Sequence, residues 1–124
     1  MDLTPRTETF GAGNLSWLGS KHGVDAARTV TISRSALTEA THYPKGYLPS
    51  GTPLALVDGK AVPFNAVGTG GTEVLAGFLL TDQQVAKGGG DIVAPLLDHG
   101  RVILSKLPAP VTASATTSGQ FIFV

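Results

Sequence analysis

The 124-residue chain contains no cysteine, which removes disulfides, thiolate zinc sites and thiol nucleophiles together. It has no surplus charge: nine Lys and Arg balance nine Asp and Glu without a basic cluster, so the counterion release that drives nucleic-acid binding has no source. Apolar runs stop at about strand length, short of the roughly 18 residues a membrane-spanning helix requires. The opening Met1-Asp2-Leu3-Thr4-Pro5-Arg6 lacks a secretory apolar region. These absences predict a soluble, unexported protein with neither nucleic-acid nor membrane partners. Glycine and proline, by contrast, are plentiful at 16 and 8 residues, in a chain whose 42% hydrophobic content is too high for general disorder. Short strands separated by many turns fit that composition, and the expected fold class is all-β: one small barrel-like domain with hairpins and little helix.

The stretch from Gly51 to Leu80 carries the densest strand signals. Leu54 to Val57 and Lys60 to Phe64 flank Asp58-Gly59, a pair suited to the positive φ angles of a type I′ turn. A two-residue loop sets the register, with Val57 facing Lys60, Leu56 facing Ala61, Ala55 facing Val62 and Leu54 facing Pro63. Both faces of this ribbon are largely apolar, which predicts a closed or sandwiched sheet. Pro63 has no amide to donate and is expected at an edge or bulge. The unbroken apolar run Val74 to Leu80 predicts the most buried strand of the fold.

Elsewhere the signals are shorter. Thr29 to Ser33 alternates β-branched residues and predicts a first strand. Arg34 to Thr41 fits either a continued strand or a helical turn, and His42 to Pro53 reads as loop because of its prolines and glycines. Ile92 to Leu97 and Arg101 to Leu104 bracket Asp98-His99-Gly100 and predict a second hairpin. Gln120 to Val124 predicts a closing strand, tied into a sheet. Residues 1–28 show a period of neither two nor 3.6 and read as an extended N-terminal arm, ahead of a β-rich domain over residues 29–124. Fully extended, the arm reaches roughly 90 Å. Trp17, the single tryptophan, lies within it and has two readings: a lid folded onto its own core, or an apolar anchor for a partner.

No constellation for catalysis stands out. The Gly68-Thr69-Gly70-Gly71 and Gly88-Gly89-Gly90 stretches lack the following helix that would present amides to a phosphate. His22, His42 and His99 sit in separate loops without metal-ligand spacing, and no Gly-x-Ser-x-Gly elbow occurs. The apolar stripes read as core, with no cofactor box among them. The reading is a structural or interaction protein rather than an enzyme, with no catalytic residues, no metal and no cofactor. The alternative from another class is a small hydrolase or carbohydrate-binding domain using His99 with Asp91 or Asp98.

Three stretches, in order, resemble the head decoration proteins of tailed bacteriophages, the family that includes the lambda decoration protein. They are Ser16-Trp17-Leu18-Gly19-Ser20-Lys21-His22-Gly23 with the following Thr29-Val30-Thr31-Ile32, then Gly46 to Leu54, then Val74 to Leu80. The Ile92 to Leu104 region adds to the likeness. The resemblance implies a β-tulip-like domain and a homotrimer on the capsid exterior of a virion. It also implies an N-terminal arm laid on the major capsid protein, and a cementing function in which the expanded shell is held against internal DNA pressure. The protein would be made in the host cytoplasm. On this reading Trp17 and Leu18 are apolar capsid-binding anchors, Gly19 and Gly23 permit backbone bends, and His22 is a polar contact. The chain departs from the family pattern after Leu107, where Ala109 to Gly119 is too short and too rich in Ser and Thr for the helix-rich segment expected there. A different virion structural or joining protein is the nearer alternative.

Overall fold

The computed structural model describes residues 15–19, 27–86 and 88–124. The strands are β1 (Arg28–Ile32), β2 (Tyr47–Leu48), β3 (Pro53–Val57), β4 (Lys60–Pro63), β5 (Gly77–Leu79), β6 (Gln83–Gln84), β7 (Ile92–Leu97), β8 (His99–Val102) and β9 (Gln120–Phe123). Helix is limited to one turn, α1 (Glu39–His42), and two 3-10 turns at Arg34–Ala36 and Leu104–Lys106. No helix among the described residues is long and apolar enough to cross a membrane.

The hairpin forms as its turn dictates. Asp58 and Gly59 take φ angles of 53° and 82°, and the four expected pairs between β3 and β4 are all present. Around this hairpin β1, β4, β3, β5 and β7 close into a barrel, β7 pairing with both β5 and β1. The β1–β4 seam is the short one, with a single parallel pair, Ile32–Ala61, and a bond from the Ser33 amide to the Ala61 carbonyl. Pro63 lies beyond that seam, where no ladder donor is required of it. The barrel interior holds Val30, Ile32, Leu54, Ala61, Leu79, Ala94 and Leu96, with Leu37, Tyr43, Leu48 and Val85 in the same cluster. Its fully buried aliphatic side chains each contribute roughly 1.5–3 kcal/mol of transfer free energy.

Residues Leu75 to Leu80 are all buried, as the apolar run predicted, although only Gly77–Leu79 is ladder-paired. Burial on both sides explains the absence of alternation. Leu79 points into the barrel while Phe78 points out into a second cluster with Trp17, Leu75, Leu80, Leu97, Val102 and Val111. Over that outer cluster lies a small sheet in which β8 and β9 run parallel, from His99–Gln120 to Val102–Phe123.

The second hairpin expected over Ile92–Leu104 does not form. Both edges of β7 are occupied by β1 and β5, so the chain turns out of the barrel at Asp98 and β8 takes β9 as its partner. The expected loop from His42 to Pro53 contains the two-residue strand β2, which pairs with β6 inside what read as a connection. The last strand is tied in, the Val124 amide donating to the Val102 carbonyl at 2.9 Å. Between Pro108 and Gly119 there is no helix, and the segment is held to the body by Val111 in the outer cluster and by the Leu75–Thr117 bridge.

Candidate interaction surface

Trp17 is 1% exposed and sits in the outer cluster of its own domain. Its ring meets Phe78 at a centroid distance of 5.6 Å, and Phe78 meets Phe121 edge-on at 5.1 Å. The indole Nε1 donates to Ser50 Oγ at 3.0 Å, and that hydroxyl donates to the Leu80 carbonyl at 2.7 Å. Ser50 is thus a buried polar residue with both its roles used, which is what burial demands of a hydroxyl. Gly51 completes the seat: at φ +93° it adopts a backbone conformation side chains rarely take, and a Cβ there would come within 2.9 Å of the Trp17 ring and of Pro108.

The backbone around the tryptophan is held as firmly. The Trp17 carbonyl accepts from the Ile103 amide at 2.7 Å, the Gly19 amide donates to the Arg101 carbonyl at 2.8 Å, and Leu18 bridges Val102. Residues 15–19 therefore act as a rudimentary third strand on the β8 edge that β9 does not occupy. This corrects two expectations. The arm does not run free to residue 28, because Leu15–Gly19 belong to the body and Arg28 opens β1. Nor is Trp17 available as an anchor for a partner, because burying its ring beneath its own sheet leaves nothing to project. Leu18 packs partly against the same cluster, and Gly19 lies under the Arg101 side chain, whose Cγ is 2.5 Å from where a glycine Cβ would stand. His22 and Gly23 lie outside the described residues.

Of the groups named for a hydrolase, His99 and Asp98 are brought together and Asp91 is not. Asp98 Oδ1 and His99 Nδ1 are 2.9 Å apart in a cleft of about 390 Å³ that Arg28 and Ser118 also line. Asp91 lies at the other end of β7, a six-residue strand and so roughly 20 Å away, too far for a pair of cooperating carboxylates. There Asp91 accepts from Lys60 Nζ at 2.6 Å and from the Arg34 amide at 2.9 Å, and these bonds hold its carboxyl below the usual carboxylate range. His42 caps its own helical turn, its Nδ1 accepting the Thr38 amide at 2.8 Å, and partial burial lowers its pKa. No three of His, Asp and Glu gather as a metal site among the described residues.

The exposed large hydrophobics among the described residues are Leu15, Val67, Val93, Ile122 and Val124, of which Ile122 and Val124 share one alternating segment. Leu18 and Phe123 flank Val102 on opposite sides, so the root of the N-terminal segment and the C-terminus stand about 10 Å apart across β8. Leu15, Ile122 and Val124 are among the few exposed large hydrophobics, at 37%, 57% and 57%. Sequence reasoning missed Ile122 and Val124 as surface residues. The alternation in Gln120 to Val124 was the available signal, with Phe121 and Phe123 on the buried face. Comparison with protein-family models, with curated proteins and with solved structures finds no match to this chain.

Proposed function

We propose that the protein is a structural component of a tailed-phage virion, a decoration protein that binds the outer surface of the expanded capsid as trimers and cements it. The observation that carries this reading is the convergence of the resembling segments. Trp17 from the first, Ser50 and Gly51 from the second, and Leu79 and Leu80 from the third are joined by the Trp17–Ser50–Leu80 relay and by the Gly51 amide on the Leu79 carbonyl at 2.7 Å. Stretches far apart in sequence that interlock in one knot are what a shared fold preserves.

The knot also changes how attachment works on this reading. Trp17 fixes the root of the leading segment to the body, and the residues before Leu15, together with the exposed face of Ile122 and Val124, meet the major capsid protein. Three such faces on one trimer make binding multivalent, so modest individual sites add up to lasting attachment. The balanced charge of nine against nine supports the role, because the chain has little attraction for the packed DNA.

The test is incubation of the purified protein with expanded, undecorated heads of the phage that encodes it, with and without residues 1–14. Cutting at residue 14 spares Trp17 and its seat, and an unchanged melting temperature of the truncated chain makes a loss of binding a report on docking. The full chain is expected to co-sediment with expanded heads and the truncated chain to bind at least tenfold more weakly. Failure of the full chain to bind any expanded head overturns the proposal.

A further inference from the structure

The small sheet has one edge with no strand partner among the described residues. The amides of Gln120 and Val124 donate to the Asp98 and Val102 carbonyls, and the Val124 carbonyl accepts from the Leu104 amide, so the even-numbered residues of β9 face β8. Alternation along a strand then turns the amides and carbonyls of Phe121 and Phe123 to the opposite side. No strand among the described residues pairs there.

Such edges are normally blunted by lysine, proline, a bulge or a covering loop. The sequence Gln120-Phe121-Ile122-Phe123-Val124 has no charge and no proline, and its outward face offers Ile122 and Val124, each 57% exposed. The edge is stiff as well as open. Phe121 and Phe123 stack at 5.9 Å and both meet Phe78 edge-on, anchoring the strand from beneath. A preordered edge pays little further entropy when another strand is added. Beside it lie the 390 Å³ cleft with Arg28 and a groove of about 450 Å³ along β8 and β9 with Arg101. Asp98 lines the first of these and bonds His99 there, while no carboxylate among the described residues lines the second. The arginine charge of the groove with Arg101 therefore favours an acidic side chain there.

We propose that the free edge of β9 accepts an extended segment of the capsid shell protein by strand addition. Apolar side chains of that segment cover Ile122 and Val124, and an acidic side chain faces Arg101. Main-chain hydrogen bonds to Phe121 and Phe123 supply affinity, and the apolar and acidic positions supply specificity. This inference rests on the capsid reading and adds a second attachment, distinct from the residues before Leu15: here the protein is the template and the shell supplies the strand.

Residue-resolved hydrogen exchange on the full chain, free and bound to expanded undecorated heads, tests it. In the free protein the Phe121 and Phe123 amides exchange at least tenfold faster than those of Gln120 and Val124. On the heads they slow at least tenfold. The variant Ile122→Lys, which places a charge at the edge without touching the buried face, weakens head binding at least tenfold and leaves the melting temperature unchanged; Arg101→Glu weakens it less. Binding to heads with Phe121 and Phe123 still exchanging at the free rate overturns the inference and leaves the capsid reading standing. Protection that already exists in the free protein and grows with concentration also overturns it, by showing that a second copy holds the edge. No binding to heads overturns both.

Discussion

The barrel and the small sheet treat the edge of a β-strand in opposite ways. In the barrel each of β1, β4, β3, β5 and β7 has a neighbour on either side, and the weakest join, at Ile32–Ala61, is supplemented by the Lys60–Asp91 ion pair across the same end. In the small sheet β8 is flanked by β9 and by Leu18, but β9 has no second strand neighbour among the described residues. A closed body resists self-association, while an open edge invites a partner. On the capsid reading, the first region supplies rigidity and the second attachment.

The largest expected effect comes from cutting the joint between the two. Trp17→Ala removes the ring that packs on Phe78 and leaves Ser50 Oγ without its donor. It should cost about 3–5 kcal/mol in denaturant melts. If the two regions are separable, exchange protection falls first at Gly19 and Ile103 and persists at the β1–β7 pairs. Uniform loss at both would break the comparison and make the whole chain one cooperative unit.

A smaller effect confined to the barrel comes from Gly59→Ala. Gly59 has φ +82°, and an alanine held in the left-handed region costs roughly 1–2 kcal/mol. Nothing lies within 4 Å of the position a Cβ would take, so the penalty is conformational and not steric. Loss of stability with unchanged affinity for capsid heads would sharpen the division of roles. Loss of affinity would show that the turn itself touches the shell.

These two sites also mark what was legible in the sequence and what was not. The β3–β4 hairpin was readable to the register because everything that sets it is local, two turn residues and the count on either side. The all-β class and the doubly buried run near Phe78 followed from composition and apolar patterning. The departure of β8 from β7 was not readable, because it depends on β1 having already taken the edge of β7 from more than sixty residues earlier in the chain. The seat of Trp17 was hidden for a similar reason. Its segment forms a single bridge and so has no strand period, and its partner Ser50 looks in sequence like any loop serine between a proline and a glycine. The free edge of β9 was half visible, as an alternating terminal strand whose lack of a second neighbour only the topology reveals.

The smallest effect separates the regions by pH. His42 and Asp91 both belong to the barrel and its flanking turns, and both have folded-state pKa values below their ordinary ones. For a group lowered in this way, the unfolded chain binds the proton first, so stability is present above the unfolded pKa and is lost as pH falls through the folded one. His42 should act first, as pH drops below its ordinary value of 6.5, because partial burial disfavours the imidazolium and protonation at Nδ1 also breaks the bond from the Thr38 amide. Asp91 should follow below 3.8, as its bonds from Lys60 and Arg34 are released. A thermal melt series from pH 7 to pH 3 should therefore show a fall in melting temperature beginning near pH 6.5. His42→Gln, which keeps an acceptor for Thr38, should flatten that first part and leave the acid limb intact. Because neither group touches the small sheet, exchange at Gly19 and Ile103 should follow these changes only as far as the global stability does; a separate acid-induced opening there would show that the small sheet responds to pH independently of the barrel.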